Sequence, residues 1–198
     1  MYTRFLVFLF FLPSFLIAQE TINVSLQPDS CLSDVELQLA MMINTYRAEK
    51  GLPSVEFSAS LCRVARIHTQ DLENNYKPSD RCNMHSWSDK GRWTPCCYTP
   101  DHKQSANMWN KPRELTSYRG NGYEIAFYTT GNYDSPAQFA REILNGWKGS
   151  PGHNEVIINK GKWKDVSWKA MGIGISGGYA CVWFGEEKDP AGKPSVCK

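Results

Sequence analysis

The sequence predicts an α+β fold on three observations. Apolar residues recur at helical spacing in several stretches before residue 160, an antiparallel hairpin signal closes the chain, and strands do not alternate with helices as a parallel sheet requires. About 180 residues beyond an N-terminal apolar segment suit one domain with its own core.

That segment comes first. Arg4 precedes an apolar run, Phe5 to Ile17, which is interrupted by Pro13 and ends at the small residue Ala18. The run is shorter than the roughly 20 residues that span a bilayer, so it reads as a secretory signal peptide and not as a membrane anchor. Cleavage after Ala18 would remove Arg4 and no acid, lowering the formal net charge of +2 by one. A nearly neutral chain shows no electrostatic preference for a partner, and no nucleic acid is expected. Asn23-Val24-Ser25 is a glycosylation sequon.

Ser33 with Glu36 forms a capping box, and Val35, Leu39, Met42, Ile43 and Tyr46 continue one helical stripe until Gly51 and Pro53. A second helix starts near Ser58 or Ser60, with Leu61, Val64, Ala65, His68 and Leu72 on its inner face. Residues 76 to 121 lack periodicity and are rich in Pro, Cys, Trp and Asn, as expected of a functional or disulfide-tied loop region. A strand is expected at Tyr123 to Tyr128. Ser135 caps a third helix with Pro136 at its first position and Phe139, Ala140, Ile143, Leu144 and Trp147 inward. Ser150 and Pro151 restart the pattern at once, giving a short fourth helix to about Ile158. Residues 170 to 187 then read as two strands around Gly177-Gly178.

The seven cysteines, Cys31, Cys62, Cys82, Cys96, Cys97, Cys181 and Cys197, all follow the apolar segment in a chain bound for an oxidising space. Their spacing fits no zinc finger. Their odd number leaves at least one free or bonded to another molecule, and the connectivity stays open. Adjacent Cys96 and Cys97 are not expected to pair with each other, because their Cα atoms lie closer than a disulfide prefers.

Gly172, Gly174 and Gly177 spell a nucleotide-binding pattern, but a strand and not a helix follows them, so dinucleotide binding is rejected. His153 falls in the first turn of the fourth helix, where exposed N–H groups disfavour imidazolium and keep the ring neutral. A neutral ring can ligate a metal, or it can simply pin two elements by a hydrogen bond. His68 reads as a satisfied core residue and His102 as a solvated loop residue. A catalytic cysteine is disfavoured, since an exposed thiolate would be oxidised. The tryptophans read as core and loop packing.

The stretches "INTYRAEKGLPSVEFSASLCRVARIHTQDL", "CNMHSW", "GYEIA", "GWKGSPGHNEVII" and "MGIGISGGYACVWFGEE", in that order, resemble the CAP superfamily of cysteine-rich secretory, antigen and pathogenesis-related proteins, with "SPGHNEVI" nearest its bacterial branch. The resemblance implies a three-layer α-β-α sandwich with a cleft holding two histidines and two acids. After the signal peptide 1–18, it implies a domain plan of linker 19–32, CAP domain 33–185 and tail 186–198. His85 and His153 match the two histidines. Tyr123 stands where relatives carry the first acid, with Glu124 one residue later, and Ser150 stands where they carry the second. One residue of shift in a strand turns a side chain to the opposite face, so Glu124 is expected to need a bulge or local kink to reach the cleft.

The resemblance thus implies a secreted protein, extracellular or periplasmic, that binds a small lipid-like or envelope ligand, or an extracellular protein, in a cleft of His85, Tyr123, Glu124, Ser150 and His153. No cofactor is required. His85 and His153 can hold a weakly bound divalent metal such as zinc, and fewer than the three protein ligands of a catalytic zinc site are assured. The rival expectation is a hydrolase using His85, His153 and Glu124.

Overall fold

The computed structural model describes residues 31–79 and 81–198, so the signal-peptide segment and the Asn23 sequon lie outside the described residues. In chain order the elements are β1 (Cys31–Leu32), α1 (Asp34–Glu49), α2 (Ala59–Asn75), α3 (Ser105–Trp109), α4 (Lys111–Leu115), β2 (Tyr123–Tyr128), α5 (Pro136–Gly149), α6 (Pro151–Ile157), a 3₁₀ turn (Gly161–Trp163), β3 (Ala170–Ser176), β4 (Tyr179–Gly185) and β5 (Ser195–Val196).

Local signals start each long helix. Glu36 reaches back to the Ser33 N–H at 2.8 Å and completes the capping box of α1. The Ser58 hydroxyl accepts from the Leu61 N–H at 3.0 Å at the start of α2. Ser135 accepts from the Gln138 N–H at the start of α5. Such caps satisfy N–H groups that the helix itself cannot.

The central sheet is antiparallel in the order β2-β4-β3. Gly177 and Gly178 turn the β3-β4 hairpin with φ of 52° and 83°, a left-handed pair that only glycine adopts without strain. α1, α5 and α6 cover one face, where Leu39, Ile43, Ile143, Trp147 and Ile157 pack with Ile125, Ile173 and Val182. α2 and the 76–121 region cover the other, where Leu61, Val64 and Leu72 pack with Trp87, Ala126, Cys181 and Trp183. This is the α-β-α sandwich.

Gly172 has a packing reason for being glycine. A Cβ there would stand 2.1 Å from the Leu61 carbonyl carbon, so its absence lets α2 lie directly on β3. The glycine pattern therefore serves helix-on-sheet contact and a turn, in keeping with the rejection of a nucleotide loop.

The 76–121 region is more structured than its composition predicts. It contains α3 and α4, a Trp87 to Cys96 bridge, and the Cys82–Cys97 disulfide. Helices of five residues are too short to show a period. The 186–198 segment is tied back to the body: Cys197 is bonded to Cys31, and Asp189 accepts from the Ser58 hydroxyl at 2.6 Å and the Ser60 N–H at 2.8 Å. Among the described residues Cys62, Cys96 and Cys181 are free and buried. No helix among them is long and apolar enough to cross a membrane.

Candidate functional site

The site is built on Glu124. Its strand pairs with β4 in unbroken register, Glu124 opposite Trp183, and its carboxylate is fully buried beneath α2. Oε1 lies 2.5 Å from His68 Nδ1 and Oε2 lies 2.8 Å from His85 Nδ1. The expectation that Glu124 needs a bulge is corrected: regular strand geometry already aims it at His85, and His85 is on the same side of the sheet as α2. Tyr123, one residue earlier, points the other way against Trp163 and Trp168 with ring centroids 5.1 and 5.6 Å apart, so the structure does not bring it to the carboxylate.

Proton positions follow from the partners. His68 Nε2 faces the Ser86 carbonyl at 3.0 Å, an acceptor only, so Nε2 carries a hydrogen. The contact at Nδ1 then holds one more proton, shared with Glu124. Burial alone opposes charge on His68, but the adjacent carboxylate outweighs it and raises the imidazole above its ordinary range. Burial likewise opposes charge on Glu124, and the attraction and hydrogen bonds of His68, with those of His85, bring it down to about 2. The pair is an imidazolium and a carboxylate inside the protein, with Trp87 stacked on His68 at 4.3 Å and 5°.

His85 donates its Nδ1–H to Glu124. In the neutral ring this fixes the tautomer and leaves the Nε2 lone pair free, the arrangement by which a carboxylate orients a metal-binding histidine. The His153 ring lies across from it, centroid to centroid 6.4 Å. Burial first, and His85 second, push His153 below the ordinary histidine range, so it is neutral at neutral pH. α6 is held at its middle and its C-terminal end: Tyr46 donates to Asn154 Oδ1 at 3.0 Å, and the buried Arg47 donates to the Ile157 carbonyl at 2.6 Å and to Asn159 Oδ1 at 2.7 Å. Ser150, the N-cap residue of α6, makes no side-chain cap bond.

Two imidazoles sharing one tetrahedral zinc have ring centroids about 5 Å apart, given bonds of about 2.0 to 2.1 Å. The 6.4 Å found here is wider than that by more than 1 Å. The two rings offer at most two nitrogen ligands, one short of a catalytic zinc set. A cavity of about 530 Å³ opens elsewhere, between the end of α2 and the Cys82–Cys97 disulfide, and neither His85 nor His153 lines it.

His68 is the satisfied core residue that the sequence predicts, but its pairing with Glu124 was missed. The signal was present: an imidazole on an otherwise apolar stripe needs a buried partner, and Glu124, 56 residues on, was the acid without one. His102 is exposed, as expected, and pairs with Tyr98 Oη at 2.7 Å.

The fold and site define a three-layer α-β-α domain with a buried carboxylate held between imidazoles. Residues 41–162 match the CAP, or cysteine-rich secretory protein, family, and the chain belongs to it. No curated protein matches. Among solved structures the chain is similar to an outer surface protein from Borrelia burgdorferi (TM-score 0.51, 18% identity, 78% of this chain and 93% of that one). It is also similar to an extracellular protein containing an SCP domain from Bacillus anthracis (TM-score 0.51, 16% identity, 77% of this chain and 40% of that one). A cysteine-rich secretory protein from Staphylococcus aureus is a third (TM-score 0.49, 14% identity, 77% and 38%). The chain thus spans about two-fifths of the length of the last two, and at these identities the likeness is one of fold.

Proposed function

We propose that this is a secreted CAP domain that binds without turning over: the cleft beside His85 and His153 receives a small apolar, lipid-like or envelope ligand, or an extracellular partner protein. The observation that carries the reading is the state of Glu124. Both its oxygens are taken by imidazoles and it is fully buried, so the site offers rigidly held ring nitrogens and no free carboxylate to act as a base. The disulfides and the apolar N-terminal segment support secretion, and the solved structures of similar fold named above include an extracellular protein and an outer surface protein.

Native mass spectrometry of the protein purified from medium tests it. We expect a retained small molecule or captured partner that the His85→Ala, His153→Ala double variant loses. Equal retention by both proteins would sink the cleft as the binding site. A second reading, hydrolysis with His85 as base, is favoured by one distance, the 2.8 Å Glu124–His85 contact, which lies within the reach general-base pairs need. Ester and amide panels run with and without added zinc separate the two: turnover abolished by His85→Ala would replace binding with catalysis.

A further inference from the structure

The far side of Glu124 carries a different donor set. His68 Nδ1, a Glu124 carboxylate oxygen and Cys181 Sγ all lie within 4.8 Å of one another, and all three residues are buried. Cys181 Sγ is 3.8 Å from His68 Nδ1. We infer that this cluster is an interior zinc(II) site, formed by the His68 imidazole, the Glu124 carboxylate and the Cys181 thiolate, and separate from the His85 and His153 ring nitrogens that face the cleft.

Geometry is the first argument. Across a tetrahedral zinc, a sulfur and a nitrogen ligand stand about 3.6 Å apart, and nitrogen and oxygen ligands about 3.3 Å apart. The sulfur to nitrogen spacing is already within a few tenths of that value. The nitrogen to oxygen contact, 2.5 Å with a proton between, must open by somewhat less than 1 Å, which a turn of the carboxylate about its last torsion supplies.

Second-sphere chemistry is the next argument. A histidine that binds metal through one nitrogen commonly donates the other N–H to a backbone carbonyl, and His68 Nε2 does so to Ser86 at 3.0 Å. The carboxylate is held the same way from its other oxygen by His85 at 2.8 Å. A mixed nitrogen, sulfur and oxygen set suits zinc better than calcium or magnesium, which take oxygen alone.

Charge is the third. Without metal, the buried imidazolium, carboxylate and neutral thiol sum to zero. With a divalent ion, the thiol proton and the proton shared by His68 and Glu124 leave to solvent, and M²⁺ with one thiolate, one carboxylate and a neutral imidazole again sums to zero. The interior exchanges two protons for one ion without gaining net charge, which avoids the large cost of burying an uncompensated ion. His85, which bonds the cluster's carboxylate, is 19% exposed, whereas His68 and Glu124 are sealed.

The inference does not rest on the cleft-binding reading, and the test separates them. The full secreted chain is titrated with cobalt(II) and then with zinc(II), and zinc-edge X-ray absorption is recorded on the zinc form. One cobalt per chain with a thiolate charge-transfer band, displaced by zinc, and one sulfur at about 2.3 Å from zinc are expected. Cys181→Ala should abolish the band and weaken cobalt binding at least tenfold, while Ser135→Ala, at the exposed start of α5, leaves both within twofold. Absence of a band, a zinc shell without sulfur, or a band that persists in Cys181→Ala overturns the proposal. The absorption spectrum of the unmutated protein decides even if Cys181→Ala fails to fold. Metal bound without sulfur and lost on His153→Ala would refute the interior site and leave the cleft reading intact.

Discussion

The two faces of the β2-β4-β3 sheet are packed by different means. Beneath α1, α5 and α6 the contact is made by Leu, Ile, Val and Trp, and of the buried charges that α1 carries, Arg47 is bonded to carbonyls and an amide and Glu36 is paired with Arg66. Beneath α2 the core includes the His68–Glu124 ion pair, and the 76–121 region adds Lys111, also fully buried and paired with Glu114 at 2.6 Å. The buried indole N–H groups of Trp87 and Trp183 have no hydrogen-bond partner among the described residues. The first face gains stability from apolar area, at about 25 cal/mol per Å². The second gives some of it up, because burying charge and unpaired N–H groups costs free energy even when partners are near. A face that gives up stability while fixing His68, Glu124 and His85 in one geometry is where a site belongs.

Truncation on either side should be severe, for different reasons. Ile143→Ala leaves a cavity and is expected to cost about 2 to 5 kcal/mol, most of it restored by Ile143→Val. Glu124→Ala leaves an imidazolium without its counter-charge and is expected to cost about 3 to 5 kcal/mol. Here the shape-preserving variant, Glu124→Gln, should restore less than half, because shape is not what the site lacks. Denaturant midpoints of the four variants check the contrast, and a Glu124→Gln protein as stable as the parent would abolish it.

The ion pair also gives the second face a pH signature. Glu124 is held at about 2 against an ordinary 4.5, so its contribution, about 3 kcal/mol, is present above pH 4.5 and is lost as the pH falls from there toward 2. His68 is raised, so the same interaction is full below the ordinary histidine value of 6.5 and is lost as the pH climbs through the raised one. Urea unfolding across pH should show both shoulders in the parent protein and neither in Glu124→Gln.

The first face was legible in the sequence because its information is periodic. The stripe Leu39, Ile43 and Tyr46 and the stripe Ala140, Ile143, Leu144 and Trp147 specify α1 and α5 with their inward sides, and serines before them fix the starts. The second face was half legible. Alternation along β2 correctly separates Tyr123 from Glu124, but alternation says only that two residues face apart, not which of them meets the histidines. That choice depends on where α2 lies, and therefore on His68, whose partnership with Glu124 is a long-range contact that no local pattern encodes. The disulfides are of the same kind: seven cysteines leave many pairings, and only the fold shows Cys31 beside Cys197.

Smaller substitutions sharpen the contrast. Gly172→Ala places a methyl group against the α2 backbone, where nothing flexible can yield, and is expected to cost about 1 to 3 kcal/mol, with a visible change in near-ultraviolet circular dichroism from Trp87 and Trp183. The smallest effect compares two helix caps. Ser135, exposed at the start of α5, only accepts from Gln138, so Ser135→Ala should cost about 1 kcal/mol and Ser135→Gly only a few tenths. Ser58, buried at the start of α2, accepts from Leu61 and also donates to Asp189. Ser58→Gly should therefore cost clearly more than Ser135→Gly, because it strips a donor from a carboxylate that anchors the C-terminal segment. Thermal midpoints that fall equally for the two glycine variants would show that the α2 face gains nothing from its polar ties beyond ordinary capping.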